Sequence, residues 1–174
     1  MSDFSEKSQK FWNLIAPGAL ILVFLILAVV PHHIPGYGSI KPDFLLIAVF
    51  YWSVHRPSLM PPSVCFVLGI LLDVFSAFPL GLNALVFVIV QKLISDQRKL
   101  FLGQPFYVSW IGFGLMCLLA NAIKTGVFYI MNDSLPGLEE IYFNMLLTIA
   151  IFPLVTILLI GSHKLMLKTE RKGV

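Results

Sequence analysis

A single carboxylate stands inside a long apolar run. Asp73 lies in Gly69-Ile-Leu-Leu-Asp73-Val-Phe-Ser76-Ala-Phe-Pro79-Leu80-Gly81, and from Val64 to Val90 only Asp73, Ser76 and Asn83 are polar. An aspartate at the centre of a membrane helix costs about 2.5–3.5 kcal/mol on insertion scales, so a chain that keeps one there has a use for it. Three uses are open. The acid can pair with a cation at similar depth, and Lys124, one turn after Asn121 in a later apolar block, is the candidate. It can accept from N–H groups that the Pro79–Gly81 break leaves unpaired at the start of the next helix, with Asn83 capping the same turn. Or it can line a proton or solute path with Lys124 and Asn121.

Catalysis is not expected. A two-acid hydrolysis needs a second carboxylate near Asp73, and none is spaced to serve. Every histidine lies at or beyond the end of an apolar block, so no Ser–His or Cys–His pair forms at depth. His32 and His33 are adjacent without a third ligand, and no metal motif or glycine-rich phosphate loop occurs. Cys65 and Cys117 each sit inside an apolar block and read as small buried hydrophobes. Catalytic, cofactor-binding and metal-binding residues are therefore all expected to be none.

The elements that position Asp73 are membrane helices. Of 174 residues, 58% are hydrophobic and 12% charged, with a mean hydropathy of +0.90. Soluble domains carry about 25% charged residues. No polar stretch is long enough for a soluble domain, and nothing points to nucleic acid. The pattern predicts an all-α polytopic membrane helix bundle, one transmembrane domain over 1–174. Its six transmembrane helices fall at roughly 11–30, 42–56, 63–78, 82–97, 106–131 and 140–163. The first block lacks a small-residue cleavage site and reads as a retained helix. The second is the weakest span: its apolar core, Phe44 to Val54, is about 16 Å long against a hydrocarbon thickness of about 30 Å. Pro79 and Gly81 split the third and fourth at a tight apolar turn.

Charge sets the orientation. With Lys124 set aside, six spans with the N-terminus inside put ten cations in the cytoplasm and only Lys41 outside. Omitting the second span gives at best nine to two, and merging the third and fourth at best eight to three. The positive-inside rule thus predicts both termini in the cytoplasm. Asp73 then lies about 7–8 Å below the outer end of its helix and Lys124 about 10 Å below the end of its own, so two readings of Lys124 stand: an ion pair with Asp73 across the bundle, or snorkelling to the outer interface. Trp12, Tyr51, Trp52, Tyr107, Trp110, Tyr129 and Tyr142 sit near block ends and read as an interfacial belt. Lys164, Lys168, Arg171 and Lys172 point to anionic lipid.

Three patches resemble the MreD family, small membrane subunits of the bacterial rod-shape system. Lys41-Pro42-Asp43-Phe-Leu-Leu is similar to the basic-Pro-Asp-leucine start of the family's second helix. Tyr51-Trp52 is followed by His55-Arg56-Pro57. The most specific is Gly69-x-x-x-Asp73-x-x-Ser76-x-x-Pro79-Leu80-Gly81 with Asn83 after it. The family often has histidine where Asn83 stands, so a titratable role is not carried over. The resemblance implies an inner-membrane protein that works with MreC, and through it with the MreB filament, the RodA glycosyltransferase and its partner transpeptidase. It also implies a six-helix bundle similar to the substrate-binding subunits of ECF vitamin transporters.

The expected function is a non-enzymatic scaffold of cell elongation that binds a transmembrane helix of MreC and supports peptidoglycan synthesis and cell shape. Asp43, Gly69, Asp73, Ser76, Pro79, Gly81, Asn83 and Lys124 are the structural or partner-critical candidates. Gly69, Gly112, Gly114 and Ala120 are expected to allow close helix approach. The alternative is a small-solute or lipid-binding membrane protein, with Asp73, Asn83, Asn121, Lys124 and Asn144 as its few pocket candidates.

Overall fold

The computed structural model describes residues 21–28, 42–76, 79–132 and 137–171, without the side chains of 132, 138 and 162–171. The start of the first block, Trp12, His32, His33, Lys41 and the side chains of the C-terminal cations lie outside the described residues. The described residues form helices and their connections, with no strand among them: α1 (residues 21–28), α2 (Phe44–His55), α3 (Pro62–Ser76), α4 (Leu82–Gln97), α5 (Phe106–Asn132) and α6 (Leu138–Arg171). A short 3-10 turn, Arg98–Leu100, precedes α5. Segments Phe106–Met131 and Glu139–Gly161 are long and apolar enough to cross a membrane.

α2 is the centre of the packing. Every residue from Leu45 to Val54 is buried. A helix that is apolar all round packs inside a protein rather than against solvent on one face. Its 12 residues are short because neighbouring helices, not lipid, surround it. Phe50 meets the rings of Phe101, Phe113 and Phe152 edge-on at 5.7, 5.4 and 5.8 Å. Phe24 of α1 stacks on Phe44 at the start of α2.

Cross-helix contacts give the directions. Asp43, at the start of α2, touches Lys124 of α5 and Thr148 of α6. Two turns on, Phe50 touches Phe113 and Phe152. α2 therefore runs antiparallel to α5 and parallel to α6.

α3 stands at the edge and packs chiefly on α4. Its buried residues, Cys65, Leu68, Gly69, Leu72 and Asp73, form one helical stripe. Phe66, Val67, Val74 and Phe75 on its other faces are exposed. Only part of the small-residue expectation describes helix–helix contact. At Gly69 a Cβ would collide with the Cα and N of Ala84 in α4, so the two backbones touch there. Gly112 instead receives the ring of Phe101, a residue of the connection after α4.

Candidate functional site

The α3–α4 turn builds the site around Asp73. Leu82 N–H donates to the Pro79 carbonyl at 3.2 Å, and Gly81 has φ 95° and ψ −8°. This is a β-turn with positive φ at its third residue, a position that favours glycine. Leu85 N–H donates to the Gly81 carbonyl at 2.8 Å and starts α4. Gly81 is the N-cap and offers no side-chain acceptor, so the first N–H groups of α4 need one from elsewhere.

Asp73 supplies it. Its Oδ2 accepts from Gly81 N–H at 2.9 Å. Its Oδ1 accepts from Asn83 N–H at 3.1 Å and from Asn83 Nδ2–H at 2.7 Å. The residue is 0% exposed. Gly69 lies one helical turn earlier on the same face of α3, so the glycine brings the backbones together and the acid reaches the donors. The positive end of α4 adds to three charge-assisted hydrogen bonds in balancing the buried charge.

Two expectations are corrected. Asp73 does not pair with Lys124, whose Nζ donates to Asp43 Oδ2 at 2.8 Å. Equal depth was insufficient: α3 faces α4, whereas the inner face of α5 meets the start of α2. Nor does Asn83 cap the turn. It occupies the second position of α4 and donates to Asp73, while its buried Oδ1 has no partner among the described residues. Ser76 is half-buried at the end of α3 and is not among the donors to Asp73. Pro79 contributes the carbonyl that closes the turn.

Asp43 organises a second polar junction. Its Oδ1 accepts from Leu46 N–H at 3.0 Å, which makes it the N-cap of α2. Its own N–H donates to Thr148 Oγ1 at 3.1 Å, and Thr148 donates to the Asn144 carbonyl at 2.6 Å. One residue thus ties α2 to α5 and α6. The Lys124 and Asp43 side chains are 24% and 19% exposed. Asn121 donates locally to the Cys117 carbonyl at 2.9 Å rather than to this junction. Thr148 was not anticipated, because a threonine within an apolar block gives no sign of which helix end it will meet. Asp43 was found only through the family-like patch, although an aspartate just before an apolar run is itself a helix-start signal.

Both carboxylates are engaged on both oxygens by donors from their own fold. The arrangement fixes three helix junctions: α3 to α4, α2 to α5 and α2 to α6.

The family described as rod shape-determining protein MreD matches residues 9–160. An uncharacterized protein of Rickettsia prowazekii (strain Madrid E) is 25% identical over 141 residues, covering 80% of each chain. No solved structure matches the chain.

Proposed function

We propose, from the premise that this chain belongs to the family of the rod shape-determining protein MreD, that it is a non-enzymatic scaffold of the cell-elongation machinery in the bacterial inner membrane. The family is one of membrane proteins with a role in rod-shape determination. In our reading six helices span the bilayer with both termini in the cytoplasm, in a bundle like that of the ECF transporter substrate-binding subunits. The bundle holds a transmembrane helix of MreC and so supports peptidoglycan synthesis by RodA and its partner transpeptidase, in register with MreB. Anionic lipid meets the basic cytoplasmic side.

The observation that carries this reading is the engagement of Asp73. A carboxylate that accepts three hydrogen bonds from the adjoining helix start is suited to hold a shape, not to exchange a proton or bind a substrate. Asp43 and Lys124 favour the same reading over a solute carrier, since they bind one another and Asp43 also caps the start of its own helix. The antiparallel and parallel directions of α2, α5 and α6 agree with alternating spans. In this arrangement the α3–α4 turn shapes the outer face that a single-pass partner would meet.

The test is co-purification of MreC with the wild-type chain and with Asp73→Ala, alongside the shape of cells that carry each. Loss of MreC and rounding of the cells are expected for the variant. Normal pull-down and normal rods would refute a central role for Asp73 in assembly.

A further inference from the structure

Pro153 lies inside α6. A proline nitrogen carries no hydrogen, so the Ile149 carbonyl, four residues earlier, loses its regular helical donor, and the ring pushes that carbonyl outward. Within a bilayer no water can take the donor's place. The donor comes from the neighbouring helix: Trp110 Nε1–H of α5 donates to the Ile149 carbonyl oxygen at 3.0 Å. An indole N–H in an apolar setting needs an acceptor as much as the freed carbonyl needs a donor.

Other contacts gather at the same point. Phe113 of α5 stacks on Phe152 at 4.4 Å, one residue before the proline. Phe106 meets the same Phe152 ring at 6.0 Å. Gly114 has no side chain where Ile149 Cδ1 comes up to α5. Below Pro153, α6 continues to Arg171.

We propose that Trp110 and Pro153 form a latch and a hinge: the proline frees the bend, and the indole bond to Ile149 fixes the direction that the rest of α6 takes from it. This gives Trp110 a positioning role beyond the interfacial one expected from its place near a block end. The latch rests on the α5–α6 geometry and not on the identity of any partner, so its failure would leave the scaffold reading untouched.

The test uses the full chain in nanodiscs with spin labels on Leu115→Cys in α5 and Gly161→Cys in α6, both exposed sites. Native Cys65 and Cys117 are buried and not accessible to label. The unsubstituted chain is expected to give one narrow distance distribution. Trp110→Phe, which keeps the ring and removes the donor, is expected to broaden or displace it. Pro153→Ala restores the helical donor, so Trp110→Phe added to it is expected to change nothing further. If Trp110→Phe alone does not fold, the double variant is expected to recover a folded chain. An unchanged distribution in Trp110→Phe, equal broadening in the Pro153→Ala background, or failure of the double variant to recover would each overturn the proposal.

Discussion

Asn83 gives Asp73 two hydrogens, one from its backbone and one from its side chain, at 3.1 and 2.7 Å on the same carboxylate oxygen. The pair joins residues ten positions apart across a turn and leaves the acid 0% exposed. Removing the carboxylate orphans three N–H groups at once. Each buried unsatisfied donor costs about 1–3 kcal/mol, and partial relaxation makes the total smaller than a simple sum. Asp73→Ala is therefore expected to destabilise the chain by about 2–5 kcal/mol, read as a lowered unfolding midpoint in detergent.

Gly69→Ala tests the approach that precedes the clamp. The added methyl meets the backbone of Ala84, which cannot rotate away as a side chain would. Overpacking of this kind costs about 1–3 kcal/mol. Gly126→Ala is the control, because nothing lies near its would-be Cβ, and its midpoint is expected not to fall, alanine being the better helix former by about 0.5–1 kcal/mol.

Gly81→Ala isolates the turn. Its φ of 95° is a region that costs an L-residue about 1–2 kcal/mol. The substitution removes no hydrogen-bonding group and meets no neighbouring atom. A thermal melt is expected to show a loss of that size, smaller than that of Asp73→Ala.

The partner of Lys124 is decided by non-additivity. Asp43→Asn and Lys124→Met remove opposite ends of one 2.8 Å contact, so the double variant is expected to be less destabilised than the two losses combined, with a coupling of about 0.5–3 kcal/mol. Asp73→Asn and Lys124→Met share no partner and are expected to add within about 0.5 kcal/mol. Unfolding midpoints of the three single and two double variants read both cycles. Coupling in the second cycle and not the first would restore the pairing that depth alone suggested.

Those two cycles mark how far the sequence could be read. The helical class was legible from hydropathy, and the break at Pro79–Gly81 from residue types that end helices. Asp73 was legible as a residue needing a partner, because charge in lipid is costly. Its choice between two partners was not: depth along a helix follows from rise per residue, but the direction a side chain faces around the bundle depends on which helices become neighbours. α2 illustrates the same limit. Its short apolar core looked like a thin span, yet its burial on all sides follows from the aromatic rings of α5, α6 and the connection after α4 that close on Phe50. Trp110 stood out as an interfacial aromatic. Its bond to Ile149 could be foreseen only by asking which carbonyl Pro153 leaves without a donor.

The central claim is that Asp73 acts by holding α3 to α4 and not by its charge. Asp73→Asn tests it most directly, because the amide keeps an acceptor oxygen for Asn83 and removes the ionisable group. Unfolding midpoint and MreC co-purification are measured on the same preparations of wild type, Asp73→Asn and Asp73→Ala. The account predicts that the two quantities fall together, with Asn between wild type and Ala in both. An Asp73→Asn chain as stable as wild type that nonetheless loses the partner as completely as Asp73→Ala would contradict it.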